Sequence, residues 1–379
     1  MPRKWIAAAC ILLLSGCWDS KEIEDVGIVT GMALDISDDR QELTMINQYV
    51  VPGQIPTQNT ASHGKPYQNL EMEGDTFFEI IRANSLESNR PPNYTHLKSI
   101  VTSTRLFEQE RVDQVIDLFI RDHEFRRTVP VFITKDSVAV IFDTEPTKEL
   151  FPSIQIKDLS ENYDKNNIIP KNLSIGDMAQ YISEKKSFLI PGISLVDGYL
   201  RSTGAGIISA KETKYIGWLP SKSLIGVRYI SNDVQGGLIH LDEKMIDQGQ
   251  ITLEVKSANT TFKPSLSDGT LKMKINVEIK TVLAEDWGIS RDVYKKGWKA
   301  EVEQAANKVV QSDIETVINQ AQHEFGVDFL NLSNWVNIHL HEYWEKNEKN
   351  WDEIFKQMEV KVDVATKVTD FGTQNLNTK

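Results

Sequence analysis

The chain has 379 residues, 40% of them hydrophobic and 25% charged, which is a globular composition and too long for one ordinary core. Its formal charge is −12, from 42 basic and 54 acidic residues, which argues against nucleic acid as a partner and against electrostatic attachment to anionic lipid. We interpret the charge as ordinary solubility rather than as an acidic binding patch.

The N-terminus carries an export signal. Arg3 and Lys4 precede a short apolar run, residues 6–14, which is too short to span a bilayer as a permanent helix. The run ends in Leu14-Ser15-Gly16-Cys17, which resembles the bacterial lipobox rather than the small-x-small site of an ordinary cleaved signal. Residues 1–16 are therefore predicted to be a lipoprotein signal peptide and Cys17 the lipidated first residue of the mature chain. A plain signal peptide or a buried first helix is the alternative.

Cysteine usage agrees with this interpretation. The chain has 2 cysteines, Cys10 and Cys17, and cleavage would remove Cys10 with the signal. The mature chain would then have no intramolecular disulfide and no thiol nucleophile. Two or more acyl chains on Cys17 would anchor the protein stably, whereas a single chain holds only marginally.

Residues 17–25 are predicted to be a polar stalk, and residues 26–192 an α/β domain with a mixed sheet, because strand and helix patterns alternate there. Residues 26–34 and 43–51 are expected to form a hairpin, followed by a long loop. Asp75 is expected to cap a helix that turns Phe78, Ile81 and Leu86 inward. Further expectations are a strand at 97–102, a helix at 108–120, a hairpin at 129–142 and a connecting segment at 143–172.

Pro191-Gly192 breaks the pattern after a helix that begins at Ser174, where Asp177 completes a near-capping box. Residues 193–379 are predicted to be an α+β region, in which an antiparallel sheet packs on one long helix. Two short strands are expected at 205–209 and 215–219, and the strands of the sheet at 251–255, 271–279 and 360–368. The long helix is expected at 298–325, with Gly326 as its C-terminal cap, and a second helix at 335–344. Residues 224–230 fit a short helix or a strand. A division near residue 245 would separate a small middle module from the final sheet-plus-helix domain.

The sequence contains no pattern typical of catalysis. The G-x-S-x-G elbow, the P-loop and the G-x-G-x-x-G fingerprint are absent, and His123-Glu124 lacks the second histidine of a zinc-protease helix. The carboxylate pairs Glu301/Glu303 and Asp352/Glu353 fall on faces that look solvated. We therefore predict no enzyme activity, no metal site and no cofactor.

Three of the 8 tryptophans, Trp335, Trp344 and Trp351, lie close together in sequence. Such a cluster is either core at a helix-to-strand junction, which we favour, or a partner surface. The partner-surface interpretation predicts that Trp351→Ala folds normally and loses a partner.

Several blocks in order resemble the Ger(x)C lipoprotein family, the C subunit of bacterial spore germinant receptors. The start matches best, with Gly16-Cys17-Trp18-Asp19, the acidic Glu22-Ile23-Glu24-Asp25, and Gly31-Met32-Ala33-Leu34-Asp35 at the end of the first strand. Later blocks that resemble the family are His96-Leu97-Lys98, Arg121-Asp122, Gly204-Ala205-Gly206, Tyr215-Ile216-Gly217-Trp218, Phe325-Gly326-Val327-Asp328 and Asn350-Trp351-Asp352.

The resemblance implies a non-catalytic, multi-domain α+β subunit at the extracytoplasmic face of the spore inner membrane. It implies assembly with the integral membrane A and B subunits of a nutrient germinant receptor, and a role in spore germination as an interaction or scaffold component. Of the family's residues, only Cys17 transfers, as the lipidated one. The alternative function is an extracytoplasmic solute-binding lipoprotein of a transporter, which would favour two α/β lobes around a cleft.

Overall fold

A computed structural model describes residues 26–37, 42–56, 64–88, 90–242, 245–246, 249–287 and 297–370. Its two sheets and their covering helices confirm the predicted α+β class. In the first sheet the strands are β1 Gly27–Ile36, β2 Leu43–Val50, β3 Tyr67–Gly74, β4 Pro92–Asn93, β5 Ser99–Ser103, β6 Val131–Thr134, β7 Phe188–Val196, β8 Tyr199–Ile208 and β9 Tyr215–Leu219. The second sheet contains β10 Leu238–Leu241, β11 Ile251–Ser267, β12 Thr270–Asp286 and β13 Glu359–Asp370.

The first sheet is mixed, as predicted, in the order β3-β2-β1-β5-β6-β7-β8-β9, with β4 on β1. Its centre is parallel from β1 through β5 and β6 to β7, and the predicted β1–β2 hairpin is present. The helices of this half are α1 Phe77–Glu87, α2 Thr104–Gln109, α3 Val112–Arg121, α4 Val138–Asp143, α5 Pro152–Glu161 and α6 Ile175–Ser183. Separate apolar cores lie on the two faces of the sheet, one under α1, α3 and α6 and the other under α4 and α5. Both faces are therefore covered, as parallel strands require.

The inward face of α1 differs from the prediction. Thr76, not Asp75, is the N-cap, and its hydroxyl accepts a hydrogen bond from the Glu79 N–H at 3.1 Å. Phe78 and Leu86 are exposed, at 48% and 88%, whereas Phe77, Ile80 and Ile81 are buried. Spacing alone did not identify this face, because two overlapping apolar stripes fit a helix here.

Two further predictions for this half were wrong. The expected hairpin at 129–142 is one strand, β6, followed by helix α4, whose buried Val138, Ile141 and Phe142 follow i, i+3, i+4 spacing. The expected connecting segment contains α5, whose first residue, Pro152, is compatible with the first helical position because that position needs no N–H. The capping box of α6 is present, as predicted, between Ser174 and Asp177.

The predicted boundary near residue 192 falls inside β7, which pairs with β8 on both sides of a register shift between Pro191 and Ile193. A proline inside a strand is tolerated at such a bulge, and this accounts for the break in the sequence pattern. The division of the chain into domains stays a prediction.

The second half has helices α7 Leu224–Ile230, α8 Trp298–Asn319, α9 Leu332–His339, α10 His341–Asn347 and α11 Trp351–Gln357. Helix α8 continues as a π-helical turn, Gln320–Phe325, and ends at Gly326 in the left-handed conformation, as predicted. Residues 224–230 are the helix rather than the strand. A single core joins α7, α8 and the second sheet with Ala205, Ile207 and Leu219 of the first sheet.

The second sheet, in the order β10-β11-β12-β13, is antiparallel except for its last pair, because β13 lies parallel to β12. The prediction of an entirely antiparallel sheet was wrong for this strand. The chain passes through α8 to α11 between the two strands, and a long helical crossover permits parallel pairing. Helix α8 also covers the outer edge of β13, where Asn307 Oδ1 and Glu303 Oε1 accept hydrogen bonds from the N–H groups of Thr366 and Val368. Glu303 is therefore a partner of the strand rather than a freely solvated carboxylate.

Candidate functional sites

The predicted lipidation site, Cys17, lies outside the described residues, as do the signal peptide and the stalk. The first described residues lead directly into β1, where the Gly27 N–H donates to the Pro91 carbonyl at 2.9 Å. Among the described residues, no helix has the length and apolarity needed to cross a membrane. The lipidation of Cys17 therefore stays a prediction.

The three clustered tryptophans occupy two different environments. Trp351 is buried and packs edge-on against Trp344, with 5.3 Å between the ring centroids. Trp335 stacks on Phe262 of β11 instead, at 4.6 Å and 15°. The structure thus brings Trp344 and Trp351 together and places Trp335 on the sheet.

Asp328 organises the buried end of this cluster, and the sequence analysis assigned it no role. Its Oδ1 accepts from the Leu332 N–H at 3.0 Å, and its Oδ2 accepts from the Ser333 N–H at 2.8 Å and from Trp351 Nε1 at 3.0 Å. Burial raises the pKa of Asp328, and the three N–H donors act in the opposite direction. The sequence did offer a signal for this role, since Asp328 comes shortly before α9 and acidic residues in that position often cap the free N–H groups of a helix.

Parts of α9 and α10 remain accessible. Trp335 and Trp344 are half-buried, and Ile338, one turn after Trp335, is 66% exposed. We call Trp335, Ile338 and Trp344 the α9–α10 surface. Trp351 does not belong to it, since its 7% exposure leaves little area for a partner. A partner role for this surface stays a prediction.

A second surface, a groove of about 780 Å³, runs between α1 and α3. The exposed Phe78 lines it, with the Arg82 guanidinium 4.8 Å from the ring centroid. Asp117, Asp122 and Glu124 also line this groove. Sequence reasoning missed the groove because it placed Phe78 in the core.

Among the described residues, no group of three or more His, Cys, Asp and Glu side chains is arranged to hold a metal ion. His123 is 97% exposed, with its Nδ1 3.8 Å from Asp122. Asp352 is half-buried, and burial raises the pKa of its carboxyl, whereas Lys356 holds the pKa of the neighbouring Glu353 below its usual value. The Asp352/Glu353 pair is thus one half-buried and one exposed carboxylate.

Known proteins resemble this chain over nearly its whole length. A family model described as the spore germination protein N-terminal domain matches residues 19–195, and one described as spore germination B3/GerAC like, C-terminal, matches residues 203–372. Spore germination protein A3 of Bacillus subtilis (strain 168) is 32% identical over 374 residues, with 97% of each chain covered. Spore germination protein B3 of the same organism is 30% identical over 367 residues, with 96% of each chain covered. The crystal structure of the GerBC protein aligns with a TM-score of 0.62 and 25% identity, over 92% of this chain and 99% of that chain.

Proposed function

The chain belongs to the family of spore germination proteins that includes B3 and A3 of Bacillus subtilis, and from this premise we propose that it is the lipid-anchored, non-catalytic C subunit of a nutrient germinant receptor. The observation that carries the proposal is the match along almost the entire chain, in both halves. The resemblance inferred from the sequence blocks is thereby confirmed.

The proposed anchor is Cys17, with acyl chains such as palmitate inserted in the spore inner membrane. Cys17 lies 10 residues before Gly27, where β1 begins, so the segment between the proposed lipid and the first strand is short. The folded part would then lie close to the extracytoplasmic face of the membrane. Two or more acyl chains make this attachment stable, because each buried CH₂ contributes about 0.8 kcal/mol.

The proposed partners are the integral membrane A and B subunits of the receptor. Tethering restricts the folded part to a thin layer above the membrane, which raises its effective concentration relative to membrane-embedded partners. Because aromatic and large apolar groups dominate binding energy at interfaces, the α9–α10 surface is the contact that we assign to them. A solute-binding lipoprotein is the less well supported alternative, because the second half is a sheet packed on a long helix rather than a second α/β lobe.

Replacing Cys17 tests the anchor. The Cys17→Ala protein is expected in the soluble fraction after a high-salt wash, and it should not incorporate a radiolabelled fatty acid. Cys10→Ala is the matched control, since Cys10 lies in the segment that cleavage removes, and this variant should stay with the membrane. Retention of Cys17→Ala in the membrane pellet at high salt would contradict a lipid anchor.

Replacing Ile338 tests the partner surface. Ile338 is 66% exposed, so Ile338→Asp is expected to fold but to lose co-purification with the polytopic subunits from spore membranes. Leu86→Asp is the control, because Leu86 is 88% exposed on α1, in the other half of the chain. Undiminished co-purification of Ile338→Asp argues against this surface, whereas normal germination of a deletion strain toward every nutrient argues against the receptor role itself.

A further inference from the structure

A pocket of about 630 Å³ lies between α7, β10 and α8, away from the surfaces described above. Its apolar wall includes Ile225, Ile239 and Val309. The two helices approach closely because residue 226 is glycine, where a Cβ would lie 2.4 Å from the Asp313 carbonyl oxygen. This contact holds Asp313 of α8, which also lines the pocket, beside α7.

Tyr229 lines the same pocket with an unsatisfied hydroxyl. The residue is 1% exposed, and among the described residues its Oη has no hydrogen-bond partner. Leaving a buried hydroxyl unpaired is unfavourable, and buried polar groups in folded proteins nearly always have partners. A ligand in the pocket would supply the missing one.

Asp313 is a half-buried carboxyl that makes no hydrogen bond or close ion pair with the described residues. Burial raises the pKa of its carboxyl to about 6, and Lys222 favours the charged form from a distance. At neutral pH the Asp313 carboxyl is therefore mainly ionised. The distant Lys222 offsets its negative charge only weakly. The charge of Asp313 also raises the pKa of Tyr229, after the larger effect of burial, so the phenol stays protonated.

We propose that this pocket binds a small molecule that carries a protonated primary amine on an aliphatic chain. The ammonium group donates hydrogen bonds to the Asp313 carboxylate and to Tyr229 Oη, both of which have free acceptor capacity. The aliphatic part packs against Ile225, Ile239 and Val309. Lys222 and Lys308 also line the pocket, but both are exposed, so solvent screens their charges.

The experiment uses three probes with one carbon skeleton: 3-methylbutylamine, 3-methylbutanol and 3-methylbutanoate. Each is titrated into the purified full chain in detergent micelles at pH 7.5, in an amine-free buffer, and followed by calorimetry. The amine is expected to bind saturably, and the alcohol and the carboxylate about tenfold more weakly or not at all, since charge-assisted hydrogen bonds distinguish them. Equal binding of alcohol and amine, or no saturable binding of the amine, overturns the proposal.

Variants assign the binding to this pocket. Asp313→Asn is expected to weaken amine binding by about tenfold or more, and Tyr229→Phe by a smaller factor, because it removes an acceptor without a charge. Asp352→Asn is the matched control, since Asp352 is also half-buried with a raised pKa but does not line the pocket, and it should bind like the unmodified chain. Unchanged binding in Asp313→Asn overturns the assignment. The measurement needs no membrane partner, so its failure leaves the receptor proposal untouched.

Discussion

At the scale of single residues, the contact between Asp328 and Trp351 connects the start of α9 to α11. A fully buried carboxylate is stable only when donors compensate for the loss of water, and here two backbone N–H groups and one indole N–H do so. The indole N–H is a side-chain donor, so a substitution can remove it and leave the two backbone donors in place. Its contribution can therefore be measured separately from helix formation.

We predict that Trp351→Phe lowers the free energy of unfolding by about 2 kcal/mol, because it keeps an aromatic ring but removes the hydrogen bond to a buried carboxyl. Trp344→Phe is the control, since Trp344 is half-buried and its indole packs on the ring of Trp351. Urea denaturation followed by circular dichroism measures both. Equal losses in the two variants would mean that ring volume, and not the hydrogen bond, matters at residue 351.

A second residue-scale prediction concerns pH. The pKa of Asp313 is about 6 in the folded chain, above its ordinary value of 3.8, because burial disfavours the charged form. Between these two values the folded chain retains on Asp313 a proton that the unfolded chain has lost, so the contribution of Asp313 to the free energy of unfolding decreases as pH rises from about 4 to about 6. Asparagine does not ionise, so Asp313→Asn avoids this decrease. The stability advantage of the variant over the unmodified chain should therefore grow as pH rises across that range.

Thermal unfolding at pH 4, 5, 6 and 7 measures the effect. Glu315→Gln is the control on the same helix, because Glu315 is exposed and accepts a hydrogen bond from Gln311. It should follow the pH profile of the unmodified chain. If Asp313→Asn does the same, the Asp313 carboxyl does not carry the proposed energetic cost. Binding residues can lower the stability of a fold in exchange for function. A carboxylate that lowers stability and lines a pocket fits that description.

At the scale of elements, the end of α8 depends on Gly326. This residue has φ 69°, and the Val327 N–H donates to the Ala321 carbonyl across it at 3.1 Å. The left-handed conformation lets the chain turn from the long helix toward Asp328. A side chain added here would meet only the flexible end of Lys356, so the backbone conformation is the main constraint.

Gly326→Ala is accordingly expected to lower the free energy of unfolding by about 1 to 2 kcal/mol, the usual difference for an L-residue in this conformation. Gly326→Asn should lose less, because asparagine tolerates the left-handed region. Gly53→Ala is the control, since a Cβ there meets nothing within 4 Å. The three variants can be compared by urea denaturation, and equal stability of Gly326→Ala and Gly53→Ala would contradict the explanation.

At the scale of the whole molecule, Arg228 joins α7 to the segment that precedes α6. The side chain is 2% exposed, and its guanidinium donates to the carbonyl oxygens of Tyr163 at 2.6 Å, Ile169 at 3.1 Å and Asp233 at 3.0 Å. Its guanidinium carbon also lies 5.1 Å from the centroid of the Tyr163 ring. One side chain thus connects parts of the chain that are about 60 residues apart.

We predict that Arg228→Met lowers the free energy of unfolding by about 3 kcal/mol, because it leaves three carbonyls without this donor. Arg201→Met should change it by less than about 0.5 kcal/mol, since the Arg201 side chain is 55% exposed and its contact with Asp197 is 3.6 Å long. Denaturation followed by both tryptophan fluorescence and circular dichroism would show whether the two halves separate. A loss as small as that of Arg201→Met would contradict the joining role.

Local patterns predicted the elements well where one signal dominated. The alternation in β12, the helical spacing of α8, the cap at Gly326 and the capping box at Ser174 all depend on neighbours within a few residues. Prediction failed where two local signals competed. In α1, whether Phe77 or Phe78 is buried depended on which face of the helix met the sheet. Residues 138–143 have the β-branched composition of a strand but form a helix, because the face at i, i+3 and i+4 packs on the sheet.

The family and the α+β class could be predicted from the sequence alone, as could an export signal and a lipid site at Cys17 that stay predictions, because all of these depend on short motifs and on periodicity. Only the tertiary structure decided that β13 lies parallel to β12, that Trp351 belongs with Asp328, that Arg228 joins distant segments, and that Tyr229 and Asp313 share a pocket. Those features depend on residues far apart in the chain, whose contacts follow from packing as a whole and leave no regular spacing in the sequence.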